Sequence, residues 1–179
     1  SMTFSLLSTI NAASYGYKVS SIKQASTMLG VKGLRKWSLL YLVKGLSSDK
    51  ADILFVNTLT RAKFAELLAE EFDIEDKKSE LFTMGIFSMM DAFLNRSLYN
   101  ILKDIPLTEN IKDALLIREG VFGEILSLVI AFERQKWNQI SLIEKINNLN
   151  SKKLYNKYVK AVDFAYETMD ILMEAEIKT

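Results

Sequence analysis

The chain has 179 residues, 49% hydrophobic and 25% charged, with seven glycines and one proline; this suits one globular domain that buries roughly two-thirds of its unfolded surface and has few breaks in regular structure. Its charges cancel to +1, which leaves no long-range field to draw it onto nucleic acid or anionic lipid. Cys and His are both absent, which excludes a disulfide framework, thiol catalysis, an imidazole base and an imidazole metal ligand; an enzyme here would have to use carboxylates, Lys, Tyr or a borrowed cofactor.

Neither a signal peptide nor an apolar run long enough to span a bilayer is found, so the expected address is cytoplasmic, with no membrane partner. Ser1-Met2 has the form of a cloning remnant, and residues 3–179 are read as the domain. Phe4 to Ala13 carries Leu6, Leu7 and Ile10 at helical spacing before Ser14-Tyr15-Gly16 turns the chain, which predicts a short first helix. Ser21 with Gln24 has the form of a capping box opening a second, which Gly30 closes. The pattern restarts at Val31, with Leu34, Trp37, Leu40 or Tyr41 and Leu46 inward and Lys32, Arg35, Lys36 and Lys44 outward, until Ser47-Ser48-Asp49 breaks it. From Asp49 to Phe72 neither Gly nor Pro interrupts, and one long helix is expected. The acidic run Glu70, Glu71, Asp73, Glu75 and Asp76 has the oxygen ligands Mg²⁺ or Ca²⁺ prefers, but it lacks the EF-hand glycine and runs into Lys77-Lys78. It reads better as a solvated connector.

Leu81 to Asn95 is nearly apolar all round, with Asp91 its only charge, and is expected to be the central buried helix. Gly85, Ser88 and Ala92 share one stripe of it, where a neighbouring backbone could approach closely. Asp91 is expected either to pair with Arg or Lys or to reach the protein edge. Leu98 to Ile105 predicts a short helix stopped by Pro106, with Thr108 able to cap the next, Glu109 to Ile117. Val121 to Phe132 presents Ile125, Leu128, Val129 and Phe132 to the core, and Trp137 to Leu149 has Ile140, Ile143 or Leu142, and Ile146 at helical spacing. The last helix, from Ser151, repeats Tyr155, Tyr158, Val162, Ala165, Met169 and Leu172, a seam with a period of about 3.5 residues that wants one straight partner. That partner is a helix of the same bundle or, on the sharper reading, a second copy or a neighbouring domain. Lys152, Lys153, Lys157 and Lys160 read as the outer face of that helix, and no nucleic-acid partner is expected. Trp37 and Trp137 each begin or flank an apolar stripe and are expected to be buried anchors. No strand alternation, hairpin signal, repeat, GxGxxG or P-loop occurs, so the fold class is all-α, a bundle of eight to ten helices.

In order and spacing these blocks resemble the HDOD family, the HD-related output domain of bacterial signalling proteins. The resemblance runs through Ile10 to Gly16, Ser21 to Ala25 with Leu29-Gly30, and Leu34 to Trp37. It continues in Arg61 to Glu66 and in Leu81-Phe82 with Gly85 to Asp91, blocks similar to the variant found behind EAL-type cyclic-di-GMP phosphodiesterase domains. Ile105-Pro106-Leu107, Ala114-Leu115, and Ala131 to Glu133 with Trp137 complete it. It implies an HD-like helical fold in which Ser88 and Met89 stand where HD phosphohydrolases carry the His-Asp pair of their metal site. A hydroxyl and a soft thioether cannot replace those ligands, so the resemblance implies no catalytic residue, no metal and no cofactor. It implies instead a regulatory domain that touches a protein partner or an EAL-type domain of a longer chain, with a homodimer as a further option. Trp37, Arg61, Glu66, Gly85, Asp91, Pro106, Glu133 and Trp137 are the motif positions it singles out. The rival expectation is a divergent phosphohydrolase or nucleotide-binding domain using Asp91 and nearby acids.

Overall fold

The computed structural model describes residues 22–46 and 52–177, and their regular structure is helical, without strands, as the spacing predicts. The expected first helix, the Ser21 cap and the break at Ser47 to Asp49 lie outside the described residues. Helix α1 (Ile22–Leu46) is two helices joined across a kink at Gly30, whose φ of 63° is the left-handed conformation only glycine adopts freely. This is the junction expected between the second segment and the one restarting at Val31. Helix α2 (Asp52–Leu68) is shorter than the expected Asp49 to Phe72: the chain turns from Ala69, and Asp73 takes a positive φ of 54°. A 3-10 turn over Glu75–Lys77 leads into α3 (Lys78–Phe87), α4 (Met90–Leu94), α5 (Leu98–Leu102), α6 (Glu109–Leu116), α7 (Gly120–Glu133), α8 (Trp137–Ile146) and α9 (Ser151–Ile177).

The core is organised around α2. Phe55, Leu59, Ala62, Phe64, Ala65 and Leu68 are buried, and the helix packs chiefly against α3 on one side and α9 on the other, with α7 across it. A helix sandwiched this way has apolar residues on several faces, because each neighbour must be met by surface worth removing from water. The expected central helix over Leu81 to Asn95 is therefore half right. Its first part, α3, is buried from Leu81 to Phe87 except at Thr83, but the chain breaks at Ser88-Met89, and in α4 Asp91, Ala92 and Leu94 face solvent. Asp91 took the second of its two expected routes: it reaches the surface, and its carboxylate accepts the Ala92 backbone N–H.

Three further expectations are corrected. Thr108 precedes α6 in extended conformation but makes no cap bond; its hydroxyl donates to Glu80 Oε2 at 3.2 Å, tying the Pro106 loop to α3. The inward stripe of α9 is Leu154, Tyr158, Ala161, Ala165, Thr168 and Leu172, whereas Tyr155, placed in the seam by sequence, is 60% exposed. Trp137 is 61% exposed at the start of α8, while Trp37 is buried against Tyr41 with ring centroids 5.4 Å apart. Each borders an apolar stripe, but Trp137 opens its helix directly after the polar run Glu133 to Lys136, where fewer neighbours surround a side chain.

Candidate functional site

The site grows out of one glycine. An added Cβ on Gly85 would lie 2.3 Å from the Ala62 Cα, so only a residue without a side chain lets α3 approach α2 this closely. The approach sets Arg61, one residue before Ala62, beside the broken end of α3. Its Nη1 donates to the Ser88 Oγ at 3.0 Å and to the Ser88 carbonyl at 3.2 Å. Its Nε and Nη2 donate to the two carboxylate oxygens of Glu133, at 2.9 and 3.0 Å, in the fork-on-fork geometry that suits a guanidinium. Ser88 completes the arrangement by donating its hydroxyl to the Gly85 carbonyl at 2.7 Å. The Arg61 side chain is 7% exposed and that of Glu133 30%; a charge so far from water is tolerable only because it is paired and hydrogen-bonded.

A cleft of about 180 Å³ opens beside this pair, between α2, α7 and α9. Asn57, Thr60, Arg61, Glu133, Tyr158 and Tyr166 supply its polar lining, and Val56, Phe64, Val129 and Val162 its apolar lining. Under it Phe64, Phe132 and Tyr158 meet with ring centroids 5.1 to 5.6 Å apart, one aromatic from each of the three helices. Burial, and then the nearby Glu133 carboxylate, push the Tyr158 phenol above its usual 10.0, so it stays a protonated donor at neutral pH. Burial, followed by the like charges of Arg61 and Arg134, pushes Arg118, whose guanidinium donates to the Ala114 carbonyl at 3.1 Å, below its ordinary value.

A second node joins the two ends of the described chain. Lys36 Nζ reaches both oxygens of Glu66, at 2.8 and 2.7 Å, and Lys63 adds a third contact at 2.7 Å. The Lys36 ammonium also lies over the rings of Phe82 and Phe164, 4.1 and 5.2 Å from their centroids. Burial pushes the Lys36 amine down further than Glu66 lifts it. Burial also pushes the Glu66 carboxyl up, but Lys36 and Lys63 together outweigh it and hold the group below its usual 4.5. One charge cluster thus links α1, α2, α3 and α9. Sequence reading placed Lys36 outward; its aliphatic stem lies along the protein while the head finds a partner, and spacing alone cannot show that.

The structure accordingly brings together Arg61, Gly85, Ser88 and Glu133 of the residues named from sequence. Glu66 and Trp37 stand apart from that site, Pro106 lies in the exposed loop before α6, and Met89 is half-buried at the break between α3 and α4. Tyr158 and Asn57 escaped sequence reading as lining residues; Tyr158 was named only as seam. Lysines tie down part of the acidic connector: Lys157 bridges Glu70 at 2.7 Å and Glu71 at 3.3 Å, and Lys77 lies 3.8 Å from Asp76. Among the described residues no three acidic side chains converge as a metal ion would require, and no helix is long and apolar enough to cross a membrane.

The chain is similar to two curated bacterial proteins. Over 176 residues it is 30% identical to the uncharacterized protein YuxH of Bacillus subtilis, an alignment covering 95% of this chain and 42% of YuxH. Over 141 residues it is 32% identical to the cyclic di-GMP phosphodiesterase CdgJ of Vibrio cholerae, covering 78% of this chain and 33% of CdgJ. The chain therefore spans between a third and somewhat over two-fifths of these relatives. No protein-family model matches it, and no solved structure does.

Proposed function

We propose that this chain is a non-catalytic output domain of the HDOD kind that acts in cyclic-di-GMP signalling by packing against a catalytic neighbour, an EAL-type domain of a longer protein or a separate partner. The observation that carries the reading is the Arg61 guanidinium, clamped by Glu133 and bonded to Ser88 through both hydroxyl and carbonyl. If Ser88 and Met89 stand where a metal-holding pair would be, the positive charge that organises this spot is an arginine tied down on two sides. A guanidinium holds three helix segments in register, but it has no lone pair with which to ligate a metal ion and so cannot take the part of the ligand pair it stands beside. Similarity to part of CdgJ supports the cyclic-di-GMP link, and because the match covers only 33% of that protein, the link concerns the signalling context and not the reaction.

The rival, a nucleotide-binding domain, draws on the cleft beside Arg61, whose lining includes Tyr158, Asn57 and Thr60. The test is to incubate the isolated chain with cyclic di-GMP and with a chromogenic phosphodiester, each with and without Mg²⁺ and Mn²⁺, while titrating cyclic di-GMP by calorimetry. No turnover and no binding heat are expected. Metal-dependent hydrolysis that Arg61→Ala or Glu133→Gln abolishes would replace this reading with the catalytic one.

A further inference from the structure

The cleft beside Arg61 carries polar groups that the Arg61 clamp does not use. Asn57 and Thr60 reach it from adjacent turns of α2, Tyr158 and Val162 from adjacent turns of α9, and Val129 and Glu133 from adjacent turns of α7. Thr60 is only 9% exposed, and Asn57 and Tyr158 are half-buried. Among the described residues no hydrogen bond engages the Asn57 amide or the hydroxyls of Thr60 and Tyr158. Polar groups so far from bulk water normally have a partner. These three are not sealed inside the protein, where the unpartnered side-chain atom is Trp37 Nε1; they open on the cleft that they line.

The ion pair adds acceptors but no free positive charge. Arg61 directs its Nε, Nη1 and Nη2 hydrogens at Glu133 and Ser88. The Glu133 oxygens take the guanidinium on one edge and, with the side chain 30% exposed, keep their outer lone pairs for another donor. The cleft thus offers donors at Thr60 and Tyr158, acceptors at Glu133 and both at Asn57, while the pair's charges cancel. Val56, Val129 and Val162 add apolar walls. A matching ligand is uncharged, has apolar faces and carries donors and acceptors together on its edge. Phosphate would meet no uncommitted cation in this lining, and about 180 Å³ holds one fused ring system but not a dinucleotide. We propose that the cleft binds a small uncharged heterocycle of the nucleobase kind, Glu133 accepting from its N–H groups and Tyr158 and Asn57 donating to its carbonyl or ring nitrogen. The inference is independent of the proposed signalling role, which concerns contact with a neighbour, and it keeps the expectation that cyclic di-GMP does not bind.

Hypoxanthine, adenine and cytosine, each titrated into the chain, test it by calorimetry and by the side-chain amide signal of Asn57 in nitrogen–proton correlation spectra. Saturable binding of at least one of them, one per chain, is expected to shift that signal. Caffeine, a purine whose N–H positions are all methylated, should not displace the bound base. Tyr158→Phe and Thr60→Val should each weaken binding about three- to tenfold with an unchanged circular dichroism melt, because neither hydroxyl bonds to the protein. Failure of all three bases to bind, or binding of caffeine as tight as theirs, would overturn the proposal. Displacement of the base by cyclic di-GMP would also overturn it and pass the cleft to the rival nucleotide reading. Variants that melt lower yet bind as the parent does would make the two hydroxyls structural, and that too would contradict it.

Discussion

Arg61 joins α2, the broken end of α3 and the last residue of α7 through one planar group, and this sets the expected cost of losing it. Arg61→Ala leaves Glu133 without its partner and the Ser88 carbonyl without its donor, and about 3 kcal/mol of stability should be lost in urea denaturation. Arg61→Lys should recover only part of this, since an ammonium cannot make the two-pronged contact. The sequence flagged Arg61, Glu133 and Ser88 one by one, as members of separate blocks, but gave no sign that they touch. Arg61 and Glu133 are 72 positions apart, and pairing over such a separation is decided by the fold. The tryptophans show the reverse limit. With Trp37 buried and Trp137 61% exposed, Trp37→Ala should cost about 3 to 5 kcal/mol and Trp137→Ala under about 0.5 kcal/mol in the same measurement. At Glu66 the expectation concerns pH. Its carboxyl is held below its usual 4.5 in the folded chain, so its stabilising contribution is full above the unfolded value and is lost as pH falls through the folded one. Thermal melts of the parent should fall in that acid window more steeply than those of Glu66→Gln.

Helices were legible in this sequence wherever one face dominates, and less so where a helix is surrounded. The apolar run from Leu81 shows no preferred side, so nothing in its pattern placed a break at Ser88-Met89. The break follows from packing, since Ser88 turns its hydroxyl back to Gly85 and its carbonyl to Arg61. The glycine in that run was read correctly as a point of close approach, and the contact with Ala62 gives it an energetic test. Gly85→Ala must push α3 off α2, and a loss of about 2 kcal/mol, or more if the Arg61 contacts go with it, is expected in chemical denaturation. An unchanged midpoint would mean the two backbones are further apart than described. The seam of α9 was misplaced in part because the helix is apolar on two adjacent stripes, and a heptad drawn through either fits the sequence. Burial separates them: Leu154, Ala161 and Ala165 turn inward, while Tyr155 and Val159 do not.

For the molecule as a whole, the fold class was legible because helical spacing is present throughout and no competing alternation occurs, while the function depends on comparison and on one side-chain cluster. A domain without chemistry of its own can change a neighbour's rate only by packing differently against that neighbour's two states, and the effect is limited by the difference in free energy between the two contacts. On the proposed function, contact is expected along α1 and α9, at the ends of the described chain, which the Lys36, Glu66, Phe82 and Phe164 node connects. The most direct measurement compares cyclic-di-GMP turnover by the proposed EAL-type neighbour, joined to this chain or separate from it, with and without residues 3–179, alongside the isolated chain. The account predicts no hydrolysis by the isolated chain and a several-fold change in rate when the domain is removed. Hydrolysis by the isolated chain, or equal rates with and without the domain, would contradict it.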